Sequence, residues 1–459
     1  MDGITSSRKL QRHNVGGRKD MISELPEGVL LYILSFLRTK DAARTSVLST
    51  KWRYLWSHLS VIDFELCCNP HLSKAEQKSA NCVIDQVEKL LRKFNRVERL
   101  NIEIQGAVVD TRKVYFFLSS ALMHKVLDLK LSLRYINDKI VLPNSFSAYQ
   151  ALTKLHLEFG IPVLIPDGMH FLSLKTLYLS RLIFANENSA QQLLSECPVL
   201  QELTLYKCYW TKIKQISVAI STLRKLTIDL KYFGGGYDDS SFTVKIDAMN
   251  LLSLSYTINE DIKCVLVNPT SIVDANIDLR YFSSQIQQLH ASQCAIELLS
   301  RLVSVKSLTL SNFTLQCLNY AKDTFCLLPS FHNLTHLDVF LASTFLTSEV
   351  LADILLKTPK LKVLHISKGY YLFFFDVEGW TTNSLPYCFK SSLKLCTFSD
   401  FYGCEAEIQF IKFLLENAIV LEEIKIIFST YLLANLKKLT EVRNQLQPLG
   451  MGSCVIKIQ

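Results

Sequence analysis

Along the middle of the chain apolar residues recur in one short pattern, apolar-x-x-apolar-x-apolar. It appears as VERLNI, LTKLHL, LKTLYL, LQELTL, LRKLTI, LLSLSY, VKSLTL, LTHLDV, LKVLHI and LEEIKI, with weaker copies in VLDLKL, DANIDL and LKLCTF. The middle apolar positions are Leu100, Leu129, Leu155, Leu177, Leu203, Leu226, Leu254, Ile277, Leu308, Leu337, Leu364, Cys396 and Ile424, so the period runs from about 22 to 32 residues. Alternation inside each copy predicts a strand with one buried face. The intervening stretches, such as AQQLLSEC and SEVLADILLKT, read as helical or irregular returns. A single unit of this kind cannot bury its apolar face, whereas a stack can. The pattern therefore predicts a curved solenoid with a continuous parallel sheet on its inner side.

The repeat resembles the leucine-rich repeat. It lacks the regular Asn after the strand and varies in length, so a distorted arc is expected rather than a regular horseshoe. Ahead of the repeats, KAEQKSANCVIDQVEKLLRKF (74–94) places Val83, Val87, Leu90, Leu91 and Phe94 on one helical face, suited to capping the open end. Residues alternating with the buried leucines should point away from the core. Among them are Lys154, His156 and Glu158; Thr176, Tyr178 and Ser180; Glu202, Thr204 and Tyr206; and His336, Asp338 and Phe340. Tyrosine and histidine among mixed charges suit a protein or peptide ligand, since Tyr offers large contact area at low entropy cost. His156, Tyr178, Tyr206, His336 and Phe340 are the expected substrate-binding set.

The segment 20–64 has a different, three-helix pattern. Pro26 suits a first helical position and Glu27 the positive end of the helix dipole. The helix is expected to run to Arg38, with Leu30, Ile33, Leu34 and Leu37 as its stripe. Leu31, Tyr32 and Phe36 make its other sides apolar as well, so it should be buried nearly all round. Thr39 should cap a second helix, and Ser49 a third in which Trp52, Leu55, Trp56 and Leu59 share one face. So short a bundle has too little interior for this many large side chains. At roughly 1.5–3 kcal/mol for each one buried, a partner surface would remove a large penalty.

The run Ile22-Ser23-x-Leu25-Pro26-x-x-Val29-Leu30-x-x-Ile33-Leu34-Ser35-Phe36-Leu37, followed by Thr45-Ser46-x-Leu48-Ser49-x-x-Trp52-Arg53-x-Leu55-Trp56, closely resembles the F-box of plant F-box proteins. It departs from the usual pattern at Glu27, Arg38 and Lys51. Near the other end, Trp380, Pro386-x-Cys388, Ser392-Leu393-Lys394, Phe401-x-Gly403, Glu407 and Asn417-Ala418-x-x-Leu421-x-x-Ile424 resemble the FBD domain, with Phe389 in place of the usual Leu. Physically that region reads strand, helix, strand, helix (LLANLKKLTEVRNQL), strand. The expected organisation is a basic disordered leader (1–19), an F-box (20–64), a helical linker and cap (65–95), leucine-rich repeats (96–375) and an α/β FBD cap (376–459).

Composition narrows the setting. Nearly half of the 459 residues are hydrophobic and a fifth are charged, which argues against disorder, and no apolar run is long enough to cross a bilayer. No apolar stretch follows the basic residues of MDGITSSRKLQRHN as a secretory signal would require. Thirteen scattered cysteines without a C-x-x-C pair read as reduced core thiols. An intracellular protein, nuclear or cytoplasmic, is expected. About half of the net charge of +8 comes from Arg8, Lys9, Arg12, Arg18 and Lys19 against Asp2, which leaves the body only mildly basic.

No G-x-S-x-G, H-E-x-x-H or Walker pattern is present, and Gly234-Gly235-Gly236 lacks the Lys-Ser/Thr of a phosphate cradle. His332 and His336 lie in a strand-like run where i and i+4 do not converge, so no metal site is expected, nor a cofactor, nor a nucleic-acid surface. The resemblance implies a non-catalytic substrate receptor of an SCF-type cullin-RING ubiquitin ligase. The F-box would bind a Skp-family adaptor, and through it cullin and RING subunits, while repeats and FBD hold a target protein. For the adaptor the expected residues are Leu25, Pro26, Ile33, Leu34, Leu37, Leu48, Trp52 and Trp56. A small-molecule receptor using the concave face and a ubiquitin-independent scaffold are the competing readings.

Overall fold

The structure is a computed structural model and describes residues 21–67, 74–92, 94, 97–136, 139–164, 169–184, 187–210, 215–230, 242–258, 262–279, 285–320, 322–341, 346–368, 384–451 and 454–459. The basic leader, Gly234-Gly235-Gly236 and Trp380 lie outside the described residues. The apolar pattern forms strands β2 Arg99–Val109, β3 Asp128–Ile136, β4 Lys154–Phe159, β5 Thr176–Ser180, β6 Glu202–Trp210, β7 Lys225–Leu230, β8 Ser253–Ile258, β9 Asp274–Leu279, β10 Ser307–Leu310, β11 His336–Leu341, β12 Val363–Lys368, β13 Leu395–Phe401 and β14 Glu423–Phe428. They are flanked by β1 Val61–Cys67 and β15 Val455–Ile458. Each strand pairs in parallel with the next, so spatial order follows chain order from β1 to β15. Such an order requires every connection to return over one face of the sheet, which is the solenoid the period predicted.

The buried row of the sheet runs Ile62, Leu100, Leu129, Leu155, Leu177, Leu203, Leu226, Leu254, Ala275, Leu308, Leu337, Leu364, Cys396 and Ile424, and the half-buried Ile456 ends it. In β9 the sequence expectation is out by two residues. Ala275, not Ile277, aligns with Leu254 and Leu308, and Ile277 faces Tyr256 and Leu310 one pleat further on. A strand repeats every two residues, so both choices bury the same face and pattern alone cannot separate them. Just upstream of the strands a backbone ladder ties successive repeats together. Leu127 N donates to Glu98 O at 2.9 Å, Thr153 N to Leu127 O at 2.8 Å and Lys175 N to Thr153 O at 2.8 Å.

The returns change character along the solenoid. Helices Thr111–Met123, Glu187–Ser195, Gln285–Arg301, Asn312–Tyr320 and Leu346–Leu356 form some of them. In the middle, Gln215–Val218, Phe242–Asp247 and Ile262–Val267 make a second parallel sheet instead. Val218, Val244 and Ile246 are buried there, so a β-rich run covers the repeat core as a helix would.

At the N-terminal end, α1 spans Glu27–Leu34 and α2 Thr39–Arg44. The first helix stops before Arg38. Ser35 Oγ donates to Tyr32 O at 2.6 Å, and Phe36 and Leu37 close i, i+3 turns that end the α-helical ladder. Pro26 sits one place ahead of the first helical residue, and its carbonyl accepts from Leu30 N at 3.1 Å. Thr39 does not cap α2. It is its first residue, and its buried hydroxyl accepts from Asp63 N of β1 at 2.7 Å. No third α-helix follows Ser49, only turns and a short 3-10 stretch, Leu55–His58. That segment is held by polar ties to the chain ahead of α1. Lys51 Nζ donates to the carbonyls of Ser23 and Leu25, both at 2.7 Å, and Ser49 Oγ lies 3.2 Å from Ser23 Oγ.

The junction with the solenoid is apolar. Leu30, Leu34, Ala42, Trp52, Leu55 and Leu59 form one small core, and Trp56 packs against both this core and the repeat core. Its ring meets Phe94 edge-on at 5.8 Å. Helix α3, Lys74–Leu91, buries Val83, Ile84, Val87 and Leu91 against the first strands.

At the far end the strand-helix-strand reading holds, with one break. The last predicted helix is two, Thr430–Ala434 and Leu436–Leu446, because Asn435 leaves helical geometry and its Oδ1 accepts from Lys438 N at 3.2 Å. Helix Glu405–Asn417 opens behind Gly403, and Glu407 accepts from Cys404 N at 3.0 Å and from Tyr402 N at 3.2 Å.

Candidate docking face and open sheet face

Helix α1 buries Leu30 and Leu34, half-buries Leu31 against the same core and turns its other apolar residues outward. Val29, Tyr32, Ile33, Phe36 and Leu37 are exposed, Phe36 at 72 %, with Tyr32 and Phe36 edge to face at 4.9 Å. Val47 and Leu48 after α2, the latter 61 % exposed, add to the same module's apolar surface, as do Met21, Ile22 and Tyr54. The expectation that α1 is buried nearly all round therefore fails within this chain. Its second apolar side has nothing among the described residues to lie against, which marks a partner surface.

The expected adaptor set divides. Pro26, Ile33, Leu37 and Leu48 lie on the surface, and Leu25 and Trp56 are half-buried. Leu34 and Trp52, 0 % and 3 % exposed, are inside the module's own core: Leu34 completes the i, i+4 stripe of α1 with Leu30, and Trp52 packs into the same cluster. They hold the face in place and do not form it. Val29, Tyr32, Phe36 and Val47 belong to that face and were absent from the expected set. A count of apolar residues left over once Leu30 and Leu34 fill the narrow interior would have found them.

On the open face of the sheet, side chains line up in rows across the strands. One row runs Asn101, Lys130, His156, Tyr178 and Thr204, and further on Asp338, His365, Thr397 and Lys425. His156 and Tyr178 stack at 3.9 Å with an interplanar angle of 21°. Burial, and then the positive Lys130, hold the His156 imidazole down at about 4, so it stays neutral near pH 7. Burial raises the Tyr178 phenol, with Glu158 and Tyr206 adding to the effect. Glu158 accepts from Ser132 Oγ at 2.7 Å and faces Arg181 Nε at 3.5 Å. Tyr206 follows one row on, opposite Ser180. His336 and Phe340 are on β11, six strands beyond β5, or roughly 29 Å at the usual strand spacing. The expected substrate-binding residues thus fall in two separate places on the open face.

The second place holds a chain of hydrogen bonds across three adjacent strands. His365 Nδ1 lies 2.8 Å from Asp338 Oδ1, and His365 Nε2 lies 2.7 Å from Ser399 Oγ. A carboxylate only accepts, so Nδ1 carries a proton, and when the ring is neutral Nε2 is the acceptor for the serine hydroxyl. Spacing in sequence could not reveal this, since 27 and 34 residues separate the partners and only stacking joins them.

Family comparisons agree with both ends and the middle. The F-box domain model matches residues 22–63, the model for the LRR repeats of an FBD-associated F-box protein matches 116–267, and the FBD model matches 382–426. An F-box/LRR-repeat protein of Arabidopsis thaliana is 30% identical over 466 residues, covering 97% of this chain and 96% of its own. The chain belongs to the F-box/LRR-repeat family. A second F-box/LRR-repeat protein of the same plant is 32% identical over 339 residues, 71% of this chain and 86% of its own. An FBD-associated F-box protein, also from Arabidopsis thaliana, is 26% identical over 424 residues, 88% of this chain and 87% of its own.

The exposed apolar side chains of α1, with Val47, Leu48 and Tyr54, all fall inside the F-box match. The FBD match begins before Pro386 and ends in β14, so in this F-box protein the FBD supplies strands to the same ladder and is not a separate body. Among the described residues, no group of three or more His, Cys, Asp or Glu is placed to hold a metal ion, and no helix is long and apolar enough to cross a membrane.

Proposed function

We propose that this F-box protein is the substrate receptor of an SCF-type cullin-RING ubiquitin ligase. The exposed apolar residues of α1 and of the turn after α2 would seat a Skp-family adaptor, which links to cullin and RING subunits. The open face of the repeats and the FBD would hold a target protein. Its part in ubiquitin transfer is to raise the effective concentration of target lysines near the charged enzyme, and it carries no ubiquitin itself. Nucleus and cytoplasm are the compartments this reading allows.

The observation that carries the proposal is Phe36, Leu37 and Leu48 standing exposed on a module whose small core is already filled. Several such side chains in water, at roughly 1.5–3 kcal/mol each when covered, are the basis for a stable interface. The test is co-purification of the full chain with a purified Skp-type adaptor. The unmutated chain should retain it, and Leu37→Glu with Leu48→Glu should lose it without loss of the folded solenoid. Failure of the unmutated chain to bind any adaptor of that class overturns the reading.

A further inference from the structure

We propose that Asp338, His365 and Ser399 form a serine acyl-transfer centre on the open face of β11, β12 and β13, with Ser399 as nucleophile and an ester bearing an apolar acyl group as substrate. The two hydrogen bonds, 2.8 Å from Asp338 to Nδ1 and 2.7 Å from Nε2 to Ser399, have the lengths and the order that activate a hydroxyl. The carboxylate fixes the tautomer, and the tautomer leaves a lone pair aimed at the serine proton. Asp338 and His365 are each 34 % exposed and Ser399 is half-buried, so the cluster is partly open to solvent.

The surroundings of Ser399 indicate the substrate. Ser399 aligns with Ser367, and Ser367 with Phe340, whose ring is 45 % exposed. At the usual strand spacing that ring is roughly 10 Å from the hydroxyl's row, within reach of a short acyl chain. On the other side the ladder between β13 and β14 is irregular between Phe398 and Phe401, and Asp400 takes a left-handed φ of 53°. Lys425 stands on the next strand opposite Thr397, one pleat from Ser399.

In the first step the Ser399 oxygen bonds to the ester carbonyl carbon, its proton passes to His365 Nε2, and the acyl–oxygen bond breaks. His365 returns that proton to the leaving alcohol. In the second step water, deprotonated by His365, attacks the acyl-serine, releases the carboxylic acid and restores the hydroxyl. Water is the only co-reactant. Nothing in this chemistry depends on adaptor binding, so a chain that fails to bind an adaptor can still pass this test, and the reverse.

The experiment treats the full chain with an alkyl fluorophosphonate, locates the adduct by peptide mass spectrometry, and follows hydrolysis of p-nitrophenyl butyrate. One adduct is expected at Ser399, together with ester turnover. Both should disappear in Ser399→Ala and slow by at least about a hundredfold in His365→Ala. Asp338→Asn, which supplies the wrong partner for Nδ1–H, should slow them to a similar extent with an unchanged melting temperature. No adduct at Ser399, an adduct formed equally fast in His365→Ala, or ester turnover no faster than in Ser399→Ala would each overturn the proposal.

Discussion

The indole Nε1 of Trp52 donates to the Ser23 hydroxyl at 3.0 Å, joining the turn-rich third segment of the F-box to the residues ahead of its first helix. Trp52 is nearly all buried, and its ring fills the same small core as Leu30 and Leu34. Ser23→Ala leaves the indole N–H without this acceptor and should destabilise the F-box by about 1–3 kcal/mol. Trp52→Ala should cost about 3–5 kcal/mol through loss of the ring. Hydrogen exchange across residues 22–63 measures both without involving the solenoid, and protection unchanged in Trp52→Ala would contradict the placement.

Trp56 has a different task. It lies between the F-box core and the repeat core, edge-on to Phe94, in the same junction where Thr39 Oγ1 accepts from Asp63 N. Thr39→Val keeps the shape and removes the acceptor, so a half-buried N–H loses its partner at a cost of about 1 kcal/mol. Faster exchange of the Asp63 amide, with adaptor binding unchanged, is the expected result. Trp56→Ala should loosen the same junction and make the chain between the F-box and β2 the first site of proteolytic cleavage.

The repeats were legible because a parallel ladder places the same demand on every copy. Leu129 and Leu364 occupy equivalent sites and betray themselves by spacing. The slip at Ala275 arose where a small residue fills a leucine site and Ile277 nearby looks more apolar. The exposed apolar face was half legible, since the motif names Leu34 and Trp52 alongside Leu37 and Leu48 and only packing separates core from surface. The Asp338–His365–Ser399 chain was not legible at all. Its geometry comes from strand stacking, and its residues look like ordinary strand decoration when each is viewed alone.

Burial pushes the thiols of Cys197, Cys208, Cys264, Cys317 and Cys388 up to about 12, and that of Cys396 upward as well. At pH 8 a thiol titrating near 12 is thiolate in only about one molecule in ten thousand. Iodoacetamide should therefore modify Cys67, Cys82 and Cys326, which are exposed, and leave those six buried thiols until denaturant is added. The unfolded chain releases these protons at lower pH than the folded one, so stability should fall as pH rises from 9 toward 12. Rapid alkylation of Cys396 in the native chain would show that the leucine row is open at that repeat.

The His156 imidazole titrates near 4 in the fold, against about 6.5 for an ordinary histidine, because burial and Lys130 disfavour its charged form. Between those values the unfolded chain binds the additional proton, so the site's contribution to stability is complete above 6.5 and is lost as pH falls toward 4. The unmutated chain should therefore lose melting temperature relative to His156→Asn across that window, and the two should run parallel above pH 7. An imidazole titrating at 6.5 by NMR would mean that the stack with Tyr178 does not exclude water.

Gly403 supplies the sharpest backbone test in the FBD. Its φ is 65°, and a Cβ built there would come within 2.3 Å of a Val442 methyl carbon. Two penalties combine in Gly403→Ala: a left-handed conformation for a residue with a side chain, at about 1–2 kcal/mol, and an overpacked contact, at about 1–3 kcal/mol. Val442→Ala removes the contact but not the strain. The double variant Gly403→Ala/Val442→Ala should therefore be less destabilised than the sum of the two single changes, by the amount of the clash. Strict additivity in denaturant melts would place the whole cost in the backbone. The expected coupling would show that the turn before Glu407 is closed because the helix Leu436–Leu446 packs directly over it.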